Sequence, residues 1–421
     1  MKLSLLDILR CPYCGGRLEL VTSMFHRRDG DEIHDAILGC HCCIFPVVAG
    51  LAVMHLDAAA KKACAHVEAG QPELARRAMF NIDDDARAAR LDAISTSADV
   101  TYREAIEALG LNLEGGYFFY RFSDPSYVVA HQLVRAVAGT VLRGGGRAID
   151  ICGGSGHLTR SLMDLSSPPP VIADLFFSKM WLARRFTAPG CEAVCCDGNA
   201  PLPFARGAFR YAMCADAFMF IWTKRQAVLE MLRLIDDGAD GPGHASPGAV
   251  VISHAHNQRV WSPSHGQPLP PEGYRDLFET IEPRLFGEAG LFADVVAGGP
   301  VDLARRDPPA VLDSDPALVC IASRDPAVFR PHVLDPAPGM TGELRLNPLY
   351  QAEPLGDRMR LRLQFPTEDY EQEFGACRQY LPDEVAVDRA ALSALGAGPL
   401  PPAMADLVRR RVILDLPRRY Y

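Results

Sequence analysis

Between residues 127 and 325, short apolar runs alternate with amphipathic stretches. RAIDIC, PVIAD, EAVCCD, YAMCAD and AVVISH are nearly continuous apolar segments, and HLTRSLMDL, KMWLARRF and RQAVLEMLRLI carry apolar residues at helical spacing. Short apolar runs read as strands buried on both faces, and strands alternating with helices predict a parallel sheet flanked by helices. A later pair, LFADVVAG and ALVCIASR, is expected to close this sheet at its edge. Upstream, AAAKKACAHVEAGQPELARRAMF and TYREAIEALG have helical spacing, separated by a polar break at NIDDDARAARLDAISTSADV. After residue 326 the chain turns Pro-rich, with strand-like GELRLNPLYQ and RMRLRLQF before the closing VRRRVILDLPRRYY. The pattern therefore divides into a cysteine-bearing unit (1–56), a helical linker or lid (57–126), an α/β core (127–325) and a C-terminal α+β extension (326–421) to which no function attaches.

Bulk properties narrow the class. A chain of 421 residues exceeds one ordinary core, and 48% hydrophobic with 23% charged residues describes a soluble globular protein. The formal net charge of −9 argues against a nucleic-acid partner, because phosphate binding wants clustered Lys and Arg. No apolar run reaches the ~18 residues needed to cross a bilayer, so no membrane role is expected. Asp7 and Arg10 interrupt the first apolar stretch, which does not read as a signal peptide. Thirteen cysteines, an odd number, include Cys152, Cys214 and Cys320 in apolar settings. That usage fits a reducing compartment, and the cytoplasm is the expected location.

CPYC supplies Cys11 and Cys14, and CHCC supplies Cys40 and Cys43 with the same gap. Two such pairs suit a tetrahedral Zn2+ site, each placing two thiolates on one tight knuckle. The alternative is buried thiols without metal. Cys42 and His41 are substitute ligands, and His26 and His34 between the pairs read as surface residues. LLDILRCPYCGGRLEL followed by LGCHCCIFPVVAGLAVM resembles the small zinc-ribbon activator subunit of tRNA and protein methyltransferases. Pro46, Val47, Gly50 and Met54 fall in that family's segment after the second knuckle, with a shorter spacer after Cys43. Four cysteine ligands leave no place for water, so the implied zinc is structural.

The chemistry centres on AIDICGGSGHLTRSL, residues 148–162, where a strand enters a glycine loop that opens a helix. A phosphate-binding loop needs Gly-Lys-Ser/Thr, and here Gly156 is followed by His157. A dinucleotide fingerprint needs a third Gly or Ala after Gly154 and Gly156, and Thr159 fills that place. Asp150, at the strand end, would oppose a pyrophosphate and favour a ligand with an ammonium group and no phosphate. Asp174 ends the second strand, where a carboxylate can accept from ribose hydroxyls. Asp197, beside Gly198, ends the third and suits an adenine amine. S-adenosylmethionine has all these features.

The segment from about 127 to 325 resembles class I S-adenosylmethionine-dependent methyltransferases. AIDICGGSG corresponds to their first motif, IADLFFSKMWLAR to the second, and CDGNAPLPFARGAFRYAMCADAF to the acid–Leu-Pro-Phe stretch and fourth strand. The resemblance implies a Rossmann-like, mostly parallel sheet carrying an N-terminal zinc ribbon. It implies a cofactor held by Asp150, Cys152, Gly154, Gly156, Asp174, Leu175, Asp197, Gly198 and Asp216, with Arg121 reaching the cofactor carboxylate. Cys152 stands where the family has its first glycine, which predicts a tighter pocket, and Ser178 and Met180 sit later than usual.

Catalytic groups are expected at the carboxyl ends of strands four and five. CADAFMFIW offers Asp216, with Phe218, Phe220 and Trp222 as apolar walls; VISHAHNQRVW offers His254, His256 and Asn257. Histidine titrates near neutrality, so either could orient or deprotonate a nucleophile. Alternatively the histidines serve loop backbone, and Asp216 caps the next helix. YFFYRFSDPSY, with Arg121 and Asp124, reads as a lid or a packed aromatic segment, and residues 262–278 as an acceptor-shaping loop. Methyl transfer to a small-molecule acceptor, of the kind made in specialised metabolism, is the expected activity. An RNA methyltransferase and a non-catalytic scaffold are the alternatives; the net charge and the absence of an Asn/Asp-Pro-Pro-Tyr/Phe motif after strand four tell against RNA.

Overall fold

A computed structural model describes residues 1–236, 248–262, 266–333, 341–396 and 402–421. The N-terminal unit contributes β1 (Glu19–Leu20), β2 (Arg27–Asp29), β3 (Glu32–Gly39), β4 (Ile44–Val48) and β5 (Leu51–Val53). The core follows with β6 (Ala148–Ile151), β7 (Val171–Asp174), β8 (Glu192–Cys195), β9 (Tyr211–Ala215), β10 (Ala249–His256) and β11 (Arg284–Gly287). β12 (Val301–Asp302) and β14 (Pro331–His332) pair as a short ribbon, and β13 (Ala317–Ser323) returns to the main sheet.

That sheet has the order β1-β3-β4-β5-β8-β7-β6-β9-β10-β13-β11, with β2 beside β3. Its centre, from β5 to β10, is parallel throughout, and β13 runs antiparallel between β10 and β11. The fold is α/β and Rossmann-like, with helices on both faces. Alternation along the strands explains the two layers. Ala148, Ile172, Ala193 and Val251 enter one core, and Ile149, Val171, Val194 and Val250 the other. The N-terminal unit obeys the same rule, with Ile37, Val48 and Val53 on one side and Leu38, Val47 and Ala52 on the other. Its strands extend the central sheet through the parallel β5–β8 pair. Among the described residues no helix is long and apolar enough to cross a membrane.

Three sequence expectations change. LFADVVAG lies mostly in the helix Glu288–Val296, and the strand beside β13 is β11 just upstream. Leu291 and Phe292 bury together on that helix, and so short an apolar run does not distinguish a helix from a strand. The polar break before residue 100 contains the helix Asp85–Thr96, capped by Asp84 accepting from the Arg87 N–H at 2.8 Å. Its Ala88, Leu91 and Ile94 supply a narrow buried stripe. After the glycine loop the α-helix covers only His157–Arg160, and the chain then tightens into i→i+3 turns such as Leu162 N to Thr159 O.

The extension carries β15 (Glu343–Leu346), β16 (Tyr350–Leu355), β17 (Arg358–Leu363), β18 (Glu384–Asp388) and β19 (Ile413–Leu416). β15 pairs with β19, and β16, β17 and β18 form a meander over a third core of Leu349, Leu361, Phe374 and Leu381. The chain then returns to the glycine loop. Tyr420, 1% exposed, stacks on Tyr102 at 4.8 Å, shares a 2.9 Å hydrogen bond with His157 Nε2 and donates to Phe118 O at 2.9 Å. Tyr102 in turn bonds Ser155 in the loop at 2.7 Å. Tyr420→Phe keeps the packing but leaves the buried His157 Nε2 without its partner. It should lower unfolding free energy by about 1–3 kcal/mol in urea titration.

Candidate active site

The topology makes a crevice where the chain reverses direction beside β6, with β7 on one side and β9 on the other. A cavity of about 590 Å³ opens there. Asp150, Cys152, Gly154, Asp174, Leu175, Asp197, Gly198, Asp216 and Arg121 all line it. Gly156 does not. It caps the short helix at φ +85°, and a Cβ there would lie 2.8 Å from Ala183 Cβ, so close packing demands the glycine.

Each strand-end acid is fixed by a local contact. Asp174 accepts from Gly154 N–H and Phe176 N–H, both at 3.1 Å, which couples the second strand to the loop. Burial pushes its carboxyl up. Asp150 accepts from Thr159 at 2.6 Å; burial pushes it up to about 7 against that hydrogen bond. Asp197 accepts from the Asn199 N–H at 2.8 Å, and Asn199 holds the next loop through the Trp222 N–H at 2.6 Å. Six carboxylates line the cavity (Glu114, Asp150, Asp174, Asp197, Asp216 and Glu373) against Arg121 and Lys179. Lys179 pairs with Glu114 at 3.2 Å and Arg121 with Asp216 at 2.9 Å, so four acids remain without a cationic side chain of the lining.

Two kinds of wall come from outside the core: Tyr117 and Phe118, in the aromatic stretch expected as a lid or packed segment, belong to the helix Asn112–Tyr120, whereas Glu373, on the extension's helix Glu368–Phe374, was missed by sequence reasoning. No local motif marks Glu373, because only the tertiary fold brings it over β9. Phe176 and Lys179, inside the resembling second motif, also line the cavity, with the ammonium 4.5 Å from the ring centroid. Of the expected apolar walls, Phe220 faces the cavity, Phe218 is buried in the core and Trp222 is exposed.

Asp216 is the hub of a buried polar network. Its Oδ2 accepts from Tyr117 OH at 2.5 Å and Ser126 Oγ at 3.3 Å, beside the Arg121 guanidinium. Arg121 also donates to Ser126 at 2.6 Å and approaches Asp124 at 3.5 Å, and Asp124 accepts from Tyr370 of the extension. Arg121 thus lines the cavity while its guanidinium engages these carboxylates. Burial opposes the Asp216 charge, but His254 and Arg121 outweigh it and hold the carboxyl down at about 2.

His254 and His256 lie behind Asp216, outside the cavity lining. A bulge in the β10–β13 register between Ile252 and Ala255 lets His254 adopt φ +50°. Its Nδ1 bonds Glu288 at 2.9 Å and its Nε2 lies 3.7 Å from Asp216 Oδ1. Burial opposes protonation, yet Glu288 and Asp216 raise its pKa to about 9. His256 goes the other way, down to about 4, through burial and the neighbouring His254. Asn257 is a loop clamp, donating to Leu312 O and Asp315 O at 2.9 Å each. Residues 263–265 of the expected acceptor loop lie outside the described residues.

In the N-terminal unit, Sγ atoms of Cys11, Cys14, Cys40 and Cys42 all lie within 4.8 Å of one another, with Cys42 in the place expected for Cys43. Cys11–Cys42, Cys14–Cys40 and Cys40–Cys42 are 3.9, 3.7 and 3.5 Å apart. Sulfurs on one tetrahedral zinc at ~2.3 Å are roughly 3.8 Å apart, so the set fits the ion. Cys43 lies 3.4 Å from Cys42, and its N–H donates to Cys40 Sγ at 3.3 Å. His26 is exposed, as expected, and His34 is half-buried on β3.

No family model matches the chain, and no curated protein matches it. Solved structures to which it is similar include geranyl diphosphate C-methyltransferase from Streptomyces coelicolor A3(2), at 13% identity and TM-score 0.32, over 45% of this chain and 75% of that one. A TehB-like S-adenosylmethionine-dependent methyltransferase from Corynebacterium glutamicum is 14% identical at TM-score 0.32, over 47% and 88%. A chain of the complex between the Haloferax volcanii Trm112 methyltransferase activator and its candidate methyltransferase is 16% identical at TM-score 0.32, over 45% and 89%.

The buried network yields its own test. Arg121→Leu removes the cation between Asp216 and Asp124, and should cost about 3–5 kcal/mol in denaturant unfolding, far beyond a surface ion pair.

Proposed function

We propose that the chain is an S-adenosylmethionine-dependent methyltransferase acting on a small-molecule acceptor. The observation that carries this reading is the excess of carboxylates in the cavity, which suits a cationic ligand without phosphates. When bound, S-adenosylmethionine supplies a methyl group on a sulfonium, already an excellent leaving group. The residues' task is then binding, alignment and exclusion of water. Asp174, held by Gly154 and Phe176, keeps lone pairs for a ribose diol; Asp197 stands ready for the adenine amine, and Asp150 for the ammonium end. Tyr117, Phe118, Phe220 and Glu373 would wall the acceptor side. Asp216 stays ionised, which suits orienting a donor group better than taking a proton. His256 and His254 stand behind it as positioning residues. The net charge of −9 favours a small acceptor over RNA.

Calorimetric titration with S-adenosylhomocysteine tests the cofactor. Micromolar binding is expected, weakened at least ~100-fold in Asp174→Ala by loss of a charge-assisted pair of hydrogen bonds. With S-adenosylmethionine, binding should also depend on pH. Asp150 titrates near 7 in the free protein, and a cationic ligand favours its ionised form. Affinity should therefore rise from pH 6 to 8 with proton release, visible as different apparent enthalpies in two buffers. Flat binding across that range would remove Asp150 from the ligand's contacts.

We also propose that Cys11, Cys14, Cys40 and Cys42 hold a structural zinc. Cys42→Ser should lose the ion and lower the melting temperature, whereas Cys43→Ser should keep both, as read by metal analysis and thermal unfolding. The reverse pattern would return the fourth ligand to Cys43.

A further inference from the structure

We propose that Asp216, His254 and His256 form a second metal centre, holding one divalent transition-metal ion beside the cofactor cavity, where an acceptor hydroxyl would meet it. The hydroxyl rests on the methyltransferase reading; the ion does not. The ligand atoms of the three residues lie within 4.8 Å of one another. His254 Nε2 and Asp216 Oδ1 are 3.7 Å apart, too far for a hydrogen bond. Two ligands on one ion at ~2.1 Å sit roughly 3–3.5 Å apart, within a few tenths of an ångström of that separation.

The supporting contacts make the case stronger than proximity alone. Among the described residues, one polar atom of each residue is hydrogen-bonded and the other makes no hydrogen bond. His254 Nδ1 is held by Glu288 at 2.9 Å, leaving Nε2. Asp216 Oδ2 takes Tyr117, Arg121 and Ser126, leaving Oδ1. His256 Nδ1 is 3.3 Å from Ser262 Oγ, leaving Nε2. Carboxylate and hydroxyl partners on the outer atoms are what orient metal ligands and fix histidine tautomers. Two imidazoles and one carboxylate select zinc or another first-row transition ion over magnesium or calcium, and three protein ligands leave a coordination place open. Asp216 lines the cavity, so that place can face it.

The ion's effect would be to acidify an acceptor hydroxyl. The O–C bond forms as the S–C bond breaks, S-adenosylhomocysteine leaves and the hydroxyl proton passes to solvent. The test is metal stoichiometry in the full chain, stripped by chelator, reloaded with zinc and dialysed. We expect two zinc ions per chain, falling to one in the His254→Gln/His256→Gln double variant and to one in Cys11→Ser/Cys14→Ser. Cobalt(II) loading should add weak visible bands without thiolate charge transfer, lost in the histidine variant alone. The single variant His256→Asn, checked by circular dichroism, repeats the count if the double variant misfolds. One zinc in the wild type, or a second zinc indifferent to both histidine substitutions, overturns the inference and leaves His254 as an ion-pair partner. The S-adenosylhomocysteine titration separates the two readings. Binding with a single zinc rejects only the metal centre, and two zincs without binding reject only the cofactor.

Discussion

Burying Arg121 is the constraint around which lid, core and extension are arranged. A guanidinium at 5% exposure is tolerable only with carboxylates against it, and these come from different segments. Asp124 and Ser126 lie on the same lid, Asp216 comes from the end of β9, and Tyr370 reaches Asp124 from the extension. Removing any one partner leaves a charge in a low-dielectric seam, where lost pairing costs most. The network therefore welds lid, core and extension at the wall of the cavity. It also explains why Arg121, aimed at a cofactor carboxylate in the sequence reading, is committed first to Asp216.

Backbone strain gathers at the same place. Cys152, Asp216 and His254 each adopt left-handed backbone, at φ +57°, +55° and +50°, the first two just past the ends of β6 and β9 and the third at the bulge in neighbouring β10. Each such residue costs on the order of 1 kcal/mol or more, which the surrounding packing must offset. At Cys152 the strain sits where a glycine would have none. The thiol occupies space beside Gly198, where a Cβ would meet Cys152 Sγ at 3.3 Å, as a narrower pocket requires. At Asp216 and His254 the turn in the backbone aims one side chain at the other across β9 and β10.

The five parallel strands of the core were legible because each is a short, largely apolar run with an acid or a histidine at or near its carboxyl end, a signal that needs no neighbours. The glycine loop and the acids Asp150, Asp174 and Asp197 were legible for a related reason, since a strand end fixes where a side chain goes. What the sequence hid depends on distance along the chain. Glu373 reaches a cavity whose other acids lie far upstream, and Tyr420 bonds His157 across 263 residues. The apolar run after Gly290 was ambiguous between strand and helix because so short a run fits either period. The polar break before residue 100 hid a helix because its three buried residues are spaced too thinly to stand out. His254 was legible as a residue near the site but not as one gripped by Glu288, which lies on a helix read as a strand edge.

The N-terminal unit bears on the cavity through the sheet. β5 lies parallel to β8, and beyond it Met54 N–H donates to Cys195 O at 2.7 Å, two residues before Asp197. On the unit's far side, Leu9 bridges to Phe204 and Arg10 N–H donates to Pro203 O at 2.9 Å, in the segment that follows Asp197. The loop carrying Asp197 is thus clasped at both ends by residues next to the first cysteine knuckle and the end of β5. A unit with so few strands has little core of its own, and four thiolates drawn to one ion would fix the knuckles that position these contacts. An ion held there would then help set the position of Asp197, an acid that lines the cavity, by holding the edge of the sheet beside the loop on which that acid stands.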